Sequence, residues 1–198
     1  MAIPKKVINF LEKGKALPAA CLPDRQGRQV KYEILKHRTV YTAFDKAKTL
    51  KISEKMVGKT LVLKMDGKLT VVLIPANKNL DLQKFKKLAK ALPAACLPDR
   101  QGRQVKKIDF ASERLIKNKF KARLPRYAKH CGQGVKVGAI PPFGNLWGLR
   151  TFIDNFLMRE KEIILNSGDY NFSIKISSNQ LKKILPDAIF GNFSEKKK

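Results

Sequence analysis

The sequence predicts an α+β fold, a single domain with a mixed or antiparallel central sheet flanked by helices. The chain has 198 residues, which is the length of one domain. Strand-like and helix-like patterns both occur along it, without the regular strand–helix alternation of a parallel sheet. Two apolar strands also flank Asp66-Gly67, a pair typical of a hairpin turn. We therefore expect residues 1–198 to form one domain.

Apolar residues at helical spacing predict the helices. Pro4 suits the first turn of the first helix. Thr42, with Asp45 three residues later, has the pattern of an N-cap. The predicted helices cover residues 4–14, 42–50, 80–90, 112–120 and 178–185. The third and fourth of them are strongly basic.

Alternating or continuous apolar runs predict the strands. The two strands of the hairpin read LVLKM and KLTVVLI on either side of Asp66-Gly67. The predicted strands cover residues 31–37, 61–65, 68–74, 135–140, 151–153, 162–165 and 172–176. Their irregular order with the helices favours α+β over α/β architecture.

The charge of the chain is strongly positive. Lys and Arg number 42 against 16 acidic residues, a formal net charge of +26. Such an excess favours a polyanionic partner, most commonly nucleic acid; a proteome-wide lysine bias is the alternative explanation. No apolar run reaches the roughly 18 residues of a membrane span, and no apolar signal segment follows the N-terminus. We expect no membrane association and a cytoplasmic location.

One peptide occurs twice without change. Residues 15–31 and 90–106 both read KALPAACLPDRQGRQVK. The peptide has no helical or strand periodicity, and nothing between its copies repeats, so it is not the unit of a stacked repeat protein. A third segment has a similar Leu-Pro, Arg-rich composition. We interpret residues 16–30, 91–105 and 122–133 as insertions in the domain.

The cysteines all fall within these segments. Cys21, Cys96 and Cys131 show no CxxC spacing, and His130 beside the third has no HxxxH partner. We therefore expect neither a metal site nor a cofactor.

The rest of the chain has few groups for covalent catalysis. It offers one histidine, His37, no cysteine and no Gly-x-Ser-x-Gly motif. Asp154 and Asp169 are the best-placed carboxylates. A protein nucleophile is therefore not expected.

Six segments, taken in order, carry a resemblance to a known family. They are HRTVYTAFDKA (37–47), VGKTLVL (57–63), IPANKNLDL (74–82), VGAIPPFGN (137–145), TFIDNFL (151–157) and NSGDYNFSIKIS (166–177). With the insertions set aside, the set resembles the YbaK / prolyl-tRNA synthetase-associated editing domains. The resemblance implies a trans-acting aminoacyl-tRNA deacylase that hydrolyses the ester of a mischarged small amino acid, such as Cys or Ala, with tRNA(Pro) as a candidate carrier. tRNA is then the partner, and an aminoacyl-tRNA synthetase is a second candidate.

The resemblance also implies site residues. The family's functional lysine, which opens the KTL motif, corresponds to Lys59, and the GxxxP loop corresponds to residues 138–142, so Lys59 and Gly138 are the candidate catalytic residues. The candidate substrate-binding residues are His37, Tyr41, Thr42, Ala139, Ile140, Pro142 and Ser173. The resemblance also implies that a ribose hydroxyl of the tRNA itself assists catalysis.

Alternatives remain at these positions. A lysine at a strand end is commonly surface charge, a glycine in a loop commonly serves the turn alone, and His37 could be structural. Ala139 and Pro141 stand where the family often has glycine or serine, which leaves the amino-acid specificity open. A non-catalytic RNA-binding module of the same fold is the alternative function.

Overall fold

A computed structural model describes residues 3–12, 30–91, 107–120 and 135–197. Within these ranges the chain forms helices packed around a mixed sheet, which confirms the predicted α+β fold. The helices are α1 (Lys5–Glu12), α2 (Ala43–Leu50), α3 (Leu82–Ala91), α4 (Glu113–Phe120) and α5 (Ser178–Ile184). The strands are β1 (Tyr32–Lys36), β2 (Gly58–Met65), β3 (Lys68–Pro75), β4 (Lys78–Leu80), β5 (Ile108–Phe110), β6 (Arg150–Asp154), β7 (Glu162–Asn166), β8 (Phe172–Ser177), β9 (Ile189–Gly191) and β10 (Ser194–Lys196).

The central sheet has five strands in the order β5-β2-β3-β6-β9. β2 runs antiparallel to β3 and β5, whereas β6 pairs in parallel with both β3 and β9. The β2–β3 hairpin turns at Asp66 and Gly67, whose φ angles of 44° and 90° are both positive, as the predicted two-residue turn requires.

Two smaller sheets complete the domain. β1, β8 and β7 form an antiparallel sheet, and β4 pairs with β10. A parallel bridge between Val57 and Ile164 connects the start of β2 to β7. The residues just before and within the start of β2 therefore lie at the junction of two sheets.

The two basic helices cover opposite faces of the central sheet. Leu63 and Val72 pack with Phe85 of α3, whereas their strand neighbours Val62 and Val71 pack with Phe120 of α4. Successive side chains of a strand point to opposite faces. Lys59 lies an even number of residues from Leu63, so its side chain leaves the sheet on the α3 side.

Two sequence predictions need correction. The predicted strand at 135–140 is wrong, because these residues form a turn at Gly138, where φ is +86°. The predicted helix at 80–90 begins two residues later, because Leu80 belongs to β4. The Asp81 carboxylate then caps α3 by accepting hydrogen bonds from the amides of residues 83 and 84, at 2.9 and 3.0 Å.

The predicted insertions and the three cysteines lie outside the described residues, apart from Val30 and Ala91. Val30 is buried in the core beside Val7 of α1, and Ala91 is the last residue of α3. The domain therefore includes these two residues, which the sequence assigned to insertions. Among the described residues, none of the helices combines the length and apolarity that crossing a membrane would need.

Candidate functional site

A cavity of about 250 Å³ opens where α2, the start of β2 and the Gly138 turn meet. Four segments distant in sequence line it. The lining residues are Val40, Tyr41, Thr42, Ala43, Lys46, Lys59, Thr60, Leu61, Gly138, Ala139, Asn166 and Asp169. The structure thus brings five of the predicted site residues together: Tyr41, Thr42, Lys59, Gly138 and Ala139.

Lys59 is held at the cavity by the backbone of β4. Its Nζ donates a hydrogen bond to the Lys78 carbonyl oxygen at 3.2 Å. Burial, and then the positive charge of Lys197, lower the pKa of Lys59. The side chain is therefore neither freely mobile nor fully solvated, unlike ordinary surface lysines.

The Gly138 turn is fixed by hydrogen bonds on both sides. The Ala139 amide donates to the Lys136 carbonyl oxygen at 3.0 Å, and Asn166 Nδ2 donates to the Gly138 carbonyl oxygen at 3.5 Å. Among the described residues, the amide of Gly138 has no hydrogen-bond acceptor. That amide is therefore without an internal acceptor in the described part of the chain.

Lys46 is a cavity residue that the sequence analysis missed. The residue is only 5% exposed, and Nζ donates to Asn166 Oδ1 at 2.5 Å. Burial lowers the pKa of Lys46 to about 8. Within the described part of the chain no carboxylate forms an ion pair with it, which is unusual because buried charges are normally paired.

The local sequence explains why Lys46 points inward. Thr42 caps α2: its Oγ1 accepts the Asp45 amide at 3.0 Å and donates to the Asp45 carboxylate at 2.7 Å, as predicted. The apolar stripe of α2 then falls on Ala43, Ala47 and Leu50, and Lys46 occupies the i+3 position of that stripe. A lysine at an apolar stripe position was the available signal.

Tyr41 lines the cavity, and Phe44 follows the lining residue Ala43 in α2. Tyr41 is 68% exposed and Phe44 is 41% exposed. The Tyr41 ring packs edge-on against Tyr170, with centroids 4.9 Å apart. Lys48 Nζ lies 4.3 Å from the Phe44 ring centroid, and Lys197 Nζ lies 5.8 Å from the same ring.

His37 and Ser173 form a hydrogen-bonded pair, although they are not among the cavity-lining residues. His37 Nδ1 lies 2.8 Å from the Arg38 carbonyl oxygen, and Nε2 lies 2.8 Å from Ser173 Oγ. Because a carbonyl only accepts, Nδ1 carries the proton, and Ser173 donates to Nε2. Burial is the main cause of the lowered pKa of His37, consistent with a neutral ring. Ser173 pairs in register with Asn166, so the pair supports the strand behind the cavity wall.

Ile140 and Pro142 are also outside the lining set. Ile140 is buried beside Val62 and Phe120. The Pro142 carbonyl oxygen accepts hydrogen bonds from Thr151 Oγ1 at 3.3 Å and from the Gly144 amide at 2.9 Å. Both residues anchor the end of the 138–142 loop.

The two candidate carboxylates have different positions. Asp169 lines the cavity and forms an ion pair with Lys136 at 2.8 Å. Burial raises its pKa, but hydrogen bonds from Lys136 and the Asn171 amide outweigh burial, so the pKa of Asp169 is lowered. Asp154 is fully buried elsewhere and accepts the amides of Phe156 and Phe193 at 2.8 and 3.0 Å. Asp154 is therefore a structural residue that fixes the end of β6.

The described residues contain no group of three or more His, Cys, Asp or Glu side chains close enough to bind a metal ion together. The cavity lining instead includes two lysines and one carboxylate that is already paired. Such a site can stabilise negative charge on a ligand.

Comparisons with known proteins identify the family and agree with the fold. The family model for the aminoacyl-tRNA editing domain matches residues 37–184. No significant match was found among curated proteins. The hypothetical protein APE2540 has a TM-score of 0.67 at 19% identity, with 96% of this chain and 99% of that chain covered.

A second solved structure, "a putative trans-editing enzyme for prolyl tRNA synthetase", has a TM-score of 0.61 at 16% identity over 83% of this chain and 87% of that one. At these identities the two structures establish the shared fold. The family match spans the cavity, both of its lysines and the Gly138 turn. This chain belongs to the aminoacyl-tRNA editing domain family, with the YbaK-like fold that its sequence predicted.

Proposed function

We propose that this protein is a trans-editing aminoacyl-tRNA deacylase that hydrolyses the ester of a small mischarged amino acid, such as alanine or cysteine, on tRNA. The observation that carries the proposal is the convergence of Lys59 and the Gly138 turn on one small cavity. An aminoacyl ester needs only a positioned water and donors for the oxyanion that develops. tRNA(Pro) is a candidate carrier, a synthetase is a candidate partner, and the cytoplasm is the expected compartment.

The size of the cavity supports a small acyl group. Its volume of about 250 Å³ accommodates an aminoacyl group, whereas the nucleic acid must remain outside. A small pocket also suits an editing role, because synthetases discriminate weakly between side chains that differ by one methylene.

The mouth of the cavity suits the single-stranded 3′ end of a tRNA. Single-stranded RNA is commonly recognised by stacking of bases on aromatic side chains near cationic groups. Tyr41 and Phe44 offer exposed rings, and Lys48 and Lys197 lie within 6 Å of the Phe44 ring centroid. We assign the terminal nucleotides to this rim and propose that Lys59, at the cavity edge, orients the terminal phosphate.

Substrate contact is proposed for Tyr41, Thr42 and Ala139, which line the cavity. His37, Ser173, Ile140 and Pro142 support its wall in this proposal. Ser173 and His37 resemble a nucleophile–base pair, but Ser173 is fully buried and cannot reach an ester in the cavity. We therefore propose hydrolysis assisted by a ribose hydroxyl of the substrate, without an enzyme-bound intermediate.

The test is the deacylation rate of tRNA charged with alanine or cysteine, with Lys59→Ala as the variant. We expect at least about a 100-fold loss of kcat/KM, because displacement of a bound substrate by about 1 Å costs that much. Lys64→Ala is the matched control, since Lys64 is an exposed lysine of the same strand that points to the opposite face. A wild-type protein that binds tRNA without deacylating it would instead support a non-catalytic RNA-binding module.

A further inference from the structure

We propose that Lys46 is a catalytic residue whose ammonium, together with the Gly138 amide, binds the oxyanion that forms on the acyl carbonyl. The inference rests on the proposed deacylase function and assigns a role to a residue that the sequence motifs did not identify. Lys46 lines the same cavity as Gly138, and Asn166 connects the two residues by hydrogen bonds to Lys46 Nζ and to the Gly138 carbonyl oxygen.

The burial of Lys46 in the cavity determines which part of the substrate it can contact. Lys46 is 5% exposed, whereas Lys59 is half-buried and donates to the carbonyl oxygen of Lys78, which is not a lining residue. A cavity of about 250 Å³ accommodates an aminoacyl group but not the folded RNA. The acyl group is the part of a charged tRNA that reaches Lys46.

The Lys46 ammonium has N–H donors that no acceptor among the described residues uses. An ammonium has three donors, and among the described residues only Asn166 Oδ1 accepts one from the Lys46 side chain. Asp169, the carboxylate that lines the cavity, is committed to Lys136 at 2.8 Å. Two N–H donors therefore remain for an oxygen that enters the cavity.

The reaction gives these donors a use. Water adds to the acyl carbon and loses a proton, and the carbonyl electron pair moves onto oxygen. The carbonyl then re-forms, the bond to the ribose oxygen breaks, and that oxygen takes a proton, which yields free amino acid and tRNA. Lys46 donates hydrogen bonds to the transient oxyanion and transfers no proton. Fixed donors aimed at such a charge in a water-poor site are a large source of rate enhancement.

Lys46→Met and Lys46→Arg test the proposal, with tRNA charged with alanine or cysteine as substrate. Losing one oxyanion donor costs about 100- to 1,000-fold in kcat, so we expect Lys46→Met to lose that much, with KM changed by less than about threefold because the donor acts mainly in the transition state. Lys46→Arg retains a cation and should recover part of the rate. A wild-type rate for Lys46→Met, or a loss confined to KM, would overturn the proposal.

The pH profile gives a second readout. Wild-type activity above the uncatalysed rate should fall above about pH 8, as Lys46 loses its proton, and this fall should be absent in Lys46→Arg. The other ionisable groups around Lys46 are Lys59, Tyr41, His37 and the Asp169–Lys136 pair. Lys59→Arg and Tyr41→Phe therefore serve as controls, and both should keep the alkaline fall. Disappearance of the fall in Lys59→Arg instead would assign it to Lys59 and contradict the proposal.

A binding experiment separates this proposal from the proposed function. Two adenosine conjugates are compared, one with a planar amide at the acyl position and one with a tetrahedral, anionic phosphonate. Transition-state analogues bind at least about 100-fold more tightly than substrates, so wild type should prefer the phosphonate, and Lys46→Met should lose most of that preference. An unchanged preference in Lys46→Met refutes the role of Lys46 alone. Absence of deacylation by wild type, with the phosphonate preference intact, refutes the proposed function alone.

Discussion

At the residue scale, the burial of Lys46 lowers the stability of the fold and serves the proposed function. A charged amine buried among helix and strand backbones costs free energy unless it is paired. Here its hydrogen-bond acceptor is the neutral amide of Asn166. A protein selected for stability alone would have an apolar residue at this stripe position of α2, as its neighbours Ala43 and Ala47 are.

Lys46→Met should therefore make the folded protein more stable at neutral pH. The pKa of Lys46 falls from 10.5 to about 8 on folding, which corresponds to a penalty of roughly 3 kcal/mol at any pH below 8. Between pH 8 and 10.5 the unfolded state holds the proton that the folded state has lost, so stability rises with pH. The gap in unfolding free energy between Lys46→Met and wild type should shrink over that range.

Chemical denaturation at pH 7 and pH 10 measures this gap. Lys48→Met is the matched control, since Lys48 is an exposed lysine of the same helix. A gap that is the same at both pH values would mean that Lys46 is solvated in the folded protein and carries no burial penalty.

The sequence predicted part of this site at the residue scale. The fold brings Tyr41, Thr42, Lys59, Gly138 and Ala139, five residues that the motifs identified, to one cavity; their roles remain predictions. Lys46 and Asn166 were missed because they meet across 120 positions of sequence. Their contact depends on how α2 packs against the β1–β8–β7 sheet. No local sequence pattern specifies that packing.

At the scale of elements, the turn at Gly138 is where local pattern and structure disagree. The residues from Val135 to Ile140 alternate as a strand does, yet Pro141 and Pro142 follow them and lack the amide donors that a ladder needs. Gly138 adopts φ of +86°, which an L-residue adopts only with strain. The predicted strand is instead a loop whose turn lines the cavity.

Gly138→Ala should lower both stability and activity. The left-handed backbone costs an alanine roughly 1–2 kcal/mol, and a Cβ at this position would meet nothing closer than 3.8 Å, so backbone strain is the main term. Gly67→Ala in the hairpin, at φ of +90° with open space around it, should lose similar stability and keep full activity. Denaturation and deacylation assays on both variants test this. Equal activity of the two variants would show that the Gly138 turn is only structural.

Other elements were predictable in proportion to their length. The β2–β3 hairpin, with its Asp-Gly turn, and the Thr42-capped helix are confirmed because each has a strong local signal. Four strands of three residues, β4, β5, β9 and β10, were missed. A run of three residues is too short to display alternation, and these strands form because neighbouring strands offer free edges.

At the scale of the whole molecule, the net charge of +26 and the sheet topology both bear on which face of the domain contacts RNA. Helices α3 and α4 are both basic, and each offers lysines for phosphate contacts. Their placement on opposite faces of the central sheet makes simultaneous contact with one acceptor stem difficult. α3 shares its face with Lys59, so we assign the RNA to that side.

Salt dependence of tRNA binding tests this assignment. Each phosphate contact releases condensed counterions, which adds roughly 0.7 to 0.9 to the slope of log K against log salt. Removing the exposed charges of α3 with Lys87→Gln/Lys90→Gln should weaken binding at low salt and reduce that slope by about one to two. The matched variant on α4, Arg114→Gln/Lys119→Gln, removes the same charge from the other face and should leave the slope unchanged.

Because both variants lower the net charge equally, an equal effect would show that the excess charge attracts RNA without a preferred face. A flat salt response of the wild type would show that phosphate contacts contribute little to binding.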